Sequence, residues 1–179
     1  MDYPDSELFD YVIQNLANLG VGIEDLGDVT YQLQAEYLPD LTKKVCNQAV
    51  VHVLKKRDVL QHVAMAINLD KLASNQAFDK PLQQIIEQDL GQFSVDETLA
   101  IGLTEDYGNI ATTSFGYLDK EKIGKAKELD EQQQVGHCET FVDDVLSAIS
   151  SCAAARIAHN FDVTSNLDVP DVNLEQLGY

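Results

Sequence analysis

Thr140-Phe141-Val142-Asp143-Asp144-Val145-Leu146-Ser147-Ala148-Ile149-Ser150-Ser151-Cys152-Ala153-Ala154-Ala155-Arg156-Ile157-Ala158-His159 is the stretch that decides how this chain folds. Val142, Val145, Leu146, Ile149, Ala153 and Ile157 recur at helical spacing. The other faces carry Ser147, Ala148, Ser151, Cys152, Ala154 and Ala155, with no charge between Asp144 and Arg156. A helix that is apolar or small all round is buried among neighbours. Small residues let those neighbours come close. The segment therefore predicts a central helix, opened by a Thr140–Asp143 capping box.

Helical periodicity continues outward from this segment. Residues 5–20 carry Leu8, Tyr11, Val12, Ile13 and Leu16 as a stripe, and a second helix is expected from about 23 to 37, stopped by Pro39. Thr42 is the expected N-cap of a third, with Val45, Cys46, Ala49, Val50, Val53 and Leu54 at helical spacing. Asp58 is expected to cap a fourth helix bearing Val59, Leu60, Val63, Ala64, Ile67 and Leu72. Pro81 opens a short fifth helix ending at Gly91. Ser94-Val95-Asp96-Glu97 is a second capping-box pattern, opening a sixth helix that stops at Gly108. From Gly108 to about Leu118 the pattern is lost and a structured loop is expected; the Gln-rich residues 131–134 read as a surface loop. Strand signals are nearly absent. The fold class is all-α: one helical domain over residues 1–159, with the helix at about 140–159 surrounded by five or six others. Residues 160–179 carry Asp162, Asp168, Asp171, Glu175 and Pro170 but no Lys or Arg, and read as a loosely ordered acidic tail.

Composition narrows the function. The chain has 179 residues and a formal charge of −18, which speaks against nucleic-acid binding and against a polybasic membrane anchor. The longest stretch without Asp, Glu, Lys or Arg, residues 11–23, is broken by Gln14, Asn15, Asn18 and Gly20, whereas a membrane span needs about 20 mostly apolar residues. The N-terminus lacks the basic head and apolar run of a signal peptide. Cys46, Cys138 and Cys152 form no CxxC pair and read as reduced thiols, so the expected location is cytoplasmic.

Two places carry candidate chemistry. Residues 94–101 echo residues 141–149: each sets two adjacent carboxylates, Asp96-Glu97 and Asp143-Asp144, in the first turn of a helix above a buried stripe. Acids there complete capping boxes and suit the helix dipole. Clustered on two helices, they also form a set of hard oxygen ligands suited to Mg²⁺. Adjacent helical residues point about 100° apart, which favours Asp144 as direct ligand and Asp143 as cap. The second place is the glycine-containing segment from Gly108 to Lys120, where Gly108, Thr112, Thr113, Gly116 and Lys120 are candidates for holding a phosphate. The GxxxxGK[ST] spacing of a Walker loop is missing. Lys122, exposed or facing an anion, stands beside it, and His137 precedes the acidic helix as a candidate proton donor.

Tyr107-Gly108-Asn109-Ile110, Phe115-Gly116-Tyr117-Leu118-Asp119-Lys120, Thr140-Phe141-Val142-Asp143-Asp144-Val145 and the closing Ala154-Ala155-Arg156-Ile157-Ala158-His159 resemble the phosphatidylglycerophosphatase A family, most closely its soluble Gram-positive branch, the low-temperature-requirement C proteins. The likeness spans roughly residues 8–159. It implies a helical fold around one central helix and a Mg²⁺-dependent phosphatase acting on phosphatidylglycerophosphate. It also implies that Asp143 and Asp144 are catalytic, that Asp96 and Glu97 are the second acidic pair, and that residues 108–119 are the glycine-containing loop. Two positions depart from the family pattern: Ser147 stands where glycine is expected, and Ile123 where proline is expected before Gly124. The expected partner is a phosphorylated lipid or a small phosphomonoester, with a transient membrane surface and a homo-oligomer left open. The alternative is a non-catalytic helical protein that binds a basic partner through its acidic surface.

Overall fold

In the computed structural model, residues 3–89, 93–132 and 138–160 are described. They form nine helices and no strand: α1 (Asp5–Asn18), α2 (Ile23–Gln34), α3 (Lys43–Leu54), α4 (Arg57–Ser74), α5 (Lys80–Glu87), α6 (Val95–Glu105), α7 (Asn109–Glu121), α8 (Lys125–Gln132) and α9 (Val142–Asn160). The all-α expectation holds. The expected end of α5 at Gly91, residues 133–134 of the Gln-rich stretch, His137 and residues 161–179 of the acidic tail lie outside the described residues, while residues 131–132, expected in a loop, end α8.

α9 is the axis of the fold. It packs against α2, α3, α4, α6, α7 and α8, while α1 and α5 lie against α4. Val145, Ile149 and Ala153 are fully buried, and so are Ala148, Cys152 and Ala155 on the other faces. The all-round burial read from the sequence is present.

Small residues bring backbones together. Thr30 of α2 donates to the Ser150 carbonyl at 3.3 Å, and Ser150 Oγ donates to the Leu26 carbonyl at 3.3 Å. Cys152 Sγ lies 3.7 Å from the Leu103 carbonyl of α6. All three cysteines are free and buried. Burial pushes the Cys46 thiol up to about 12, so it behaves as a small apolar side chain.

Local expectations are met at Thr42 and corrected at the end of α2 and the start of α4. Thr42 Oγ1 accepts from the Val45 N–H at the start of α3. Asp25 accepts from the Gly22 N–H at 2.7 Å and closes the first turn of α2. α2 stops at Gln34, one turn short of its expected end at residue 37. Asp58, expected to cap α4, is corrected to a place inside its first turn, where it suits the dipole, while Lys56 occupies the N-cap.

The expected loop after Gly108 is a helix. Gly108, at φ +76°, is the N-cap residue of α7, a left-handed conformation that glycine adopts without steric cost. Ala111, Phe115 and Leu118 then fall at i, i+4 and i+7 and are buried. Thr112, Thr113 and Gly116 lower local helix propensity, and packing against α9 and α6 overrides it.

Ala153 has no exposed surface in the centre of this bundle. Ala153→Leu is therefore expected to overpack it and cost about 1–3 kcal/mol in urea unfolding. Unchanged stability would show that the neighbours of α9 can move aside.

Candidate active site

The N-terminal end of α9 is not closed by its own capping box. Thr140 Oγ1 donates instead to the Ile86 carbonyl at 2.9 Å. The exposed N–H groups of Phe141 and Val142 donate to the two carboxylate oxygens of Asp70, on α4, at 3.1 and 2.9 Å. Asp70 thus caps α9 from a different helix. The sequence carries a sign of this: Asp70 falls three residues after Ile67 and seven after Val63, on the buried stripe of α4. An acid on a buried stripe needs a partner.

With the cap supplied by Asp70, Asp143 is free for another role. The capping function expected of it is corrected: its Oδ2 accepts from Lys122 Nζ at 2.9 Å. Asp144 Oδ1 accepts from the same ammonium at 2.9 Å, and Asp119 lies 3.3 Å from it. Asp143 and Asp144 are each only 3% exposed. Two adjacent buried carboxylates are tolerable only with a cation beside them. Lys122 is that cation.

Lys122 reaches the pair through an unusual backbone. It ends α7 at φ +42°, a left-handed conformation that costs a non-glycine residue roughly 1–2 kcal/mol. Its N–H closes on the Leu118 carbonyl at 2.7 Å. Gly124 follows at φ +65°, where an added Cβ would meet Val29 Cγ2 at 2.8 Å, so glycine is required there by both conformation and space. Ile123, at the position where proline was expected, lies in this same turn and lines a small crevice with Ser147 and Val29.

The electrostatics follow from this packing. Burial raises the proton affinity of Asp143, and the Lys122 charge opposes that rise. Burial, then the charge of Asp143, raises that of Asp144 further, again opposed by Lys122. Burial works against the Lys122 charge, but the two carboxylates more than offset it and hold the ammonium protonated. Asp96 is buried, its carboxylate accepting from the Glu97 N–H at 2.8 Å, and burial pushes it up to about 6. Asp89 acts electrostatically on both Asp96 and Asp143, which links the two acidic turns. Glu97 is exposed. Ser94 makes no side-chain cap, so the second capping box is likewise not formed.

The structure therefore brings Asp143 and Asp144 together with Asp119 and Lys122. Among the described residues, no three of His, Cys, Asp and Glu are grouped so as to hold a metal ion. The cation at the carboxylates is an ammonium. The phosphate candidates on α7 are placed differently from a loop cradle. Thr112 Oγ1 contacts Thr104 Oγ1 at 3.1 Å, and Thr113 Oγ1 donates to the Asn109 carbonyl at 2.8 Å. Gly116 and Lys120 are exposed, and Gly108 accepts from the Thr112 N–H inside the first turn of α7. Asp70, Asp89 and Asp119 are the members of this neighbourhood that the sequence reading did not single out.

Comparison with known proteins follows the same residues. The family model for phosphatidylglycerophosphatase A matches residues 18–159. The chain is 39% identical over 174 residues to YpjQ of Bacillus subtilis (strain 168), covering 97% of this chain and 94% of that protein. It is 41% identical over 140 residues to YutG of the same organism, covering 78% and 84%. The crystal structure of YpjQ superposes with a TM-score of 0.82 at 40% identity, covering 88% of this chain and 96% of that one. The low temperature requirement C protein of Listeria monocytogenes superposes with a TM-score of 0.81 at 39% identity, covering 85% and 95%.

Asp70 gives this site a measurable pH signature. Burial pushes its carboxyl up to about 8 from an ordinary 3.8, against the pull of the two backbone N–H groups. The native state then holds a proton that the unfolded chain releases. The stability this contributes is complete below pH 4 and is lost as pH rises through 8. Asp70→Asn is expected to flatten that slope in urea unfolding between pH 4 and 8, and to cost about 0.5–2 kcal/mol through the weakened cap. Parallel slopes for the two proteins would contradict this.

Proposed function

The chain belongs to the phosphatidylglycerophosphatase A family, and from that premise we propose that it is a Mg²⁺-dependent phosphomonoester hydrolase that dephosphorylates phosphatidylglycerophosphate to phosphatidylglycerol. The observation that carries this reading is the pair of buried carboxylates, Asp143 and Asp144, held by Lys122 on the first turn of the central helix. A structural helix start has no need of two adjacent buried acids when Asp70 already caps it.

The donor type suits the proposed metal, but the carboxylates are grouped around the Lys122 ammonium and not around a metal-sized site, so the ion would have to take the place of that ammonium. The oxygens of Asp143, Asp144 and Asp119 already converge on one cationic nitrogen, and carboxylate oxygen is the ligand type Mg²⁺ prefers. Asp143, Asp144 and Asp119 would hold the ion, with Asp96 and Glu97 as the second acidic pair. Bound there, Mg²⁺ supplies positive charge to the phosphoryl oxygens and makes phosphorus more electrophilic.

The remaining work falls to side chains. Lys122, released from the carboxylates by the ion, would keep its proton and turn an N–H toward a phosphoryl oxygen. Asp144, in its ionised form, would take the proton of the attacking water. The water oxygen would bond to phosphorus as the bond from phosphorus to the ester oxygen breaks, and the proton taken by Asp144 would pass to the departing oxygen, so that the alcohol and inorganic phosphate are released. The Asp143 carboxylate keeps Lys122 oriented. Thr112, Thr113, Gly108, Gly116 and Lys120 along α7 remain candidates for contacts to the rest of the substrate.

Among the described residues no helix is long and apolar enough to cross a membrane. A lipid substrate would therefore be met at a surface. At a formal charge of −18 the chain is repelled by an anionic bilayer, so the assay uses detergent micelles, and added salt is expected to raise the rate on anionic vesicles by screening beyond about 8–10 Å. With Mg²⁺, the protein is expected to release inorganic phosphate from micellar phosphatidylglycerophosphate. Asp144→Asn, which keeps shape but removes the charge, is expected to lower the rate at least about a hundredfold with little change in melting temperature. A preference for a soluble phosphomonoester in the same panel would keep the phosphatase and discard the lipid. No turnover by folded protein with Mg²⁺ present would favour a non-catalytic interaction protein.

A further inference from the structure

Beside the first turn of α9 the structure has a cavity of about 380 Å³ between α1, α4 and residues 138–142. That is within the range of small-molecule sites, about 300–1,000 Å³. Leu19, Ile67 and Val142 supply apolar wall, and Asn18, Ser74 and Asn75 supply neutral polar groups. Charges in the lining balance one another. Asp70 is met by the two backbone N–H groups at the start of α9, and Glu139 and Lys71 contribute one charge of each sign. Lys71 is itself held by Asn15 Oδ1 and lies over the Tyr11 ring at 4.9 Å.

Hydrogen-bonding capacity remains at the rim. Ser74 Oγ accepts from the Cys138 N–H at 3.0 Å and keeps its own O–H to donate. Asn75 donates to the Lys71 carbonyl at 2.7 Å and keeps its Oδ1 to accept. Apolar wall with neutral donors and acceptors, and no net charge, suits a short carbon skeleton bearing hydroxyls. It does not suit a bare phosphate or a cation. The cavity and the carboxylate pair share one turn of chain: Val142 lines the cavity, Asp143 follows it, and the Asp143 N–H donates to the carbonyl of Glu139, which also lines it.

We propose that this cavity is a polyol subsite, binding the glycerol portion of a glycerol-phosphate ligand whose terminal phosphate lies at Asp143, Asp144 and Lys122. This rests on the phosphatase reading for the position of the phosphate, but the subsite itself is testable without turnover. Isothermal titration of the full chain, without Mg²⁺ so that nothing is turned over, uses glycerophosphoglycerol phosphate, sn-glycerol 3-phosphate and inorganic phosphate as probes. The first two are expected to bind more tightly than phosphate. Asn18→Leu and Ser74→Leu are expected to remove that advantage, weakening them by about tenfold and leaving phosphate binding unchanged. Asn18 is exposed at the rim, so its variant carries the test if Ser74→Leu does not fold.

Glycerophosphoglycerol phosphate bound more tightly than sn-glycerol 3-phosphate assigns the subsite to a lipid headgroup; the reverse order assigns it to a soluble polyol phosphate. In turnover, both variants are expected to raise KM for phosphatidylglycerophosphate with little change in kcat, and to leave phenyl phosphate hydrolysis unaltered. Equal affinity of wild type and variants for the glycerol probes, or no glycerol advantage over phosphate, overturns the proposal. If phosphate is still released from the lipid in that case, the phosphatase reading survives its failure. Glycerol binding without any turnover would overturn the phosphatase reading and retain the subsite.

Discussion

Two adjacent carboxylates buried to within a few per cent of complete exclusion from water are the constraint that organises this molecule. Left alone in a low-dielectric interior they repel one another and lose their hydration. Lys122 answers the charge, and Asp70 satisfies the backbone N–H groups just before it. Each helper comes from a different helix end or face. The turn after α7, with its left-handed Lys122 and obligatory Gly124, is shaped by the need to deliver one ammonium to α9.

This constraint explains why α9 is the central helix rather than a surface one. A first turn needing partners from α4 and from the end of α7 must be packed on several sides, so the rest of the helix is buried with it. Alanine, serine and cysteine from Ser147 to Ala155 then let α2 and α6 come close enough for side chains to bond the neighbouring backbone. Ser147, standing where the family pattern suggests glycine, is buried and lines the crevice with Ile123 and Val29, so the hydroxyl is accommodated between α9 and the neighbouring elements.

Local signals in the sequence were legible wherever chain-neighbouring groups decide the outcome. Thr42 caps α3, Pro81 opens α5, and the stripe Val145, Ile149, Ala153 and Ile157 faces the core. At the start of α9, partners distant in sequence displaced local ones. Both capping-box patterns have the right residues, yet Thr140 bonds Ile86 and Asp143 bonds Lys122. α7 was hidden because threonines and Gly116 mask the spacing of Ala111, Phe115 and Leu118, and its stability comes from α9 and α6. Asp143 and Asp144 were visible as a pair of acids. Their shared cation, and the part played by Asp70, depend on tertiary contacts across 21 to 72 positions of chain.

The coupling between Lys122 and Asp143 tests this account most directly. A double-mutant cycle with Lys122→Met and Asp143→Asn, read by urea unfolding at neutral pH and low salt, measures it free of other contributions. Lys122→Met leaves two buried carboxylates without their cation, and Asp143→Asn takes one of them from Lys122, so the account predicts that the double variant is more stable than the sum of the single losses allows. The expected coupling is about 1–3 kcal/mol. Additivity to within about 0.5 kcal/mol would contradict the claim that one ammonium holds the acidic turn of α9 together.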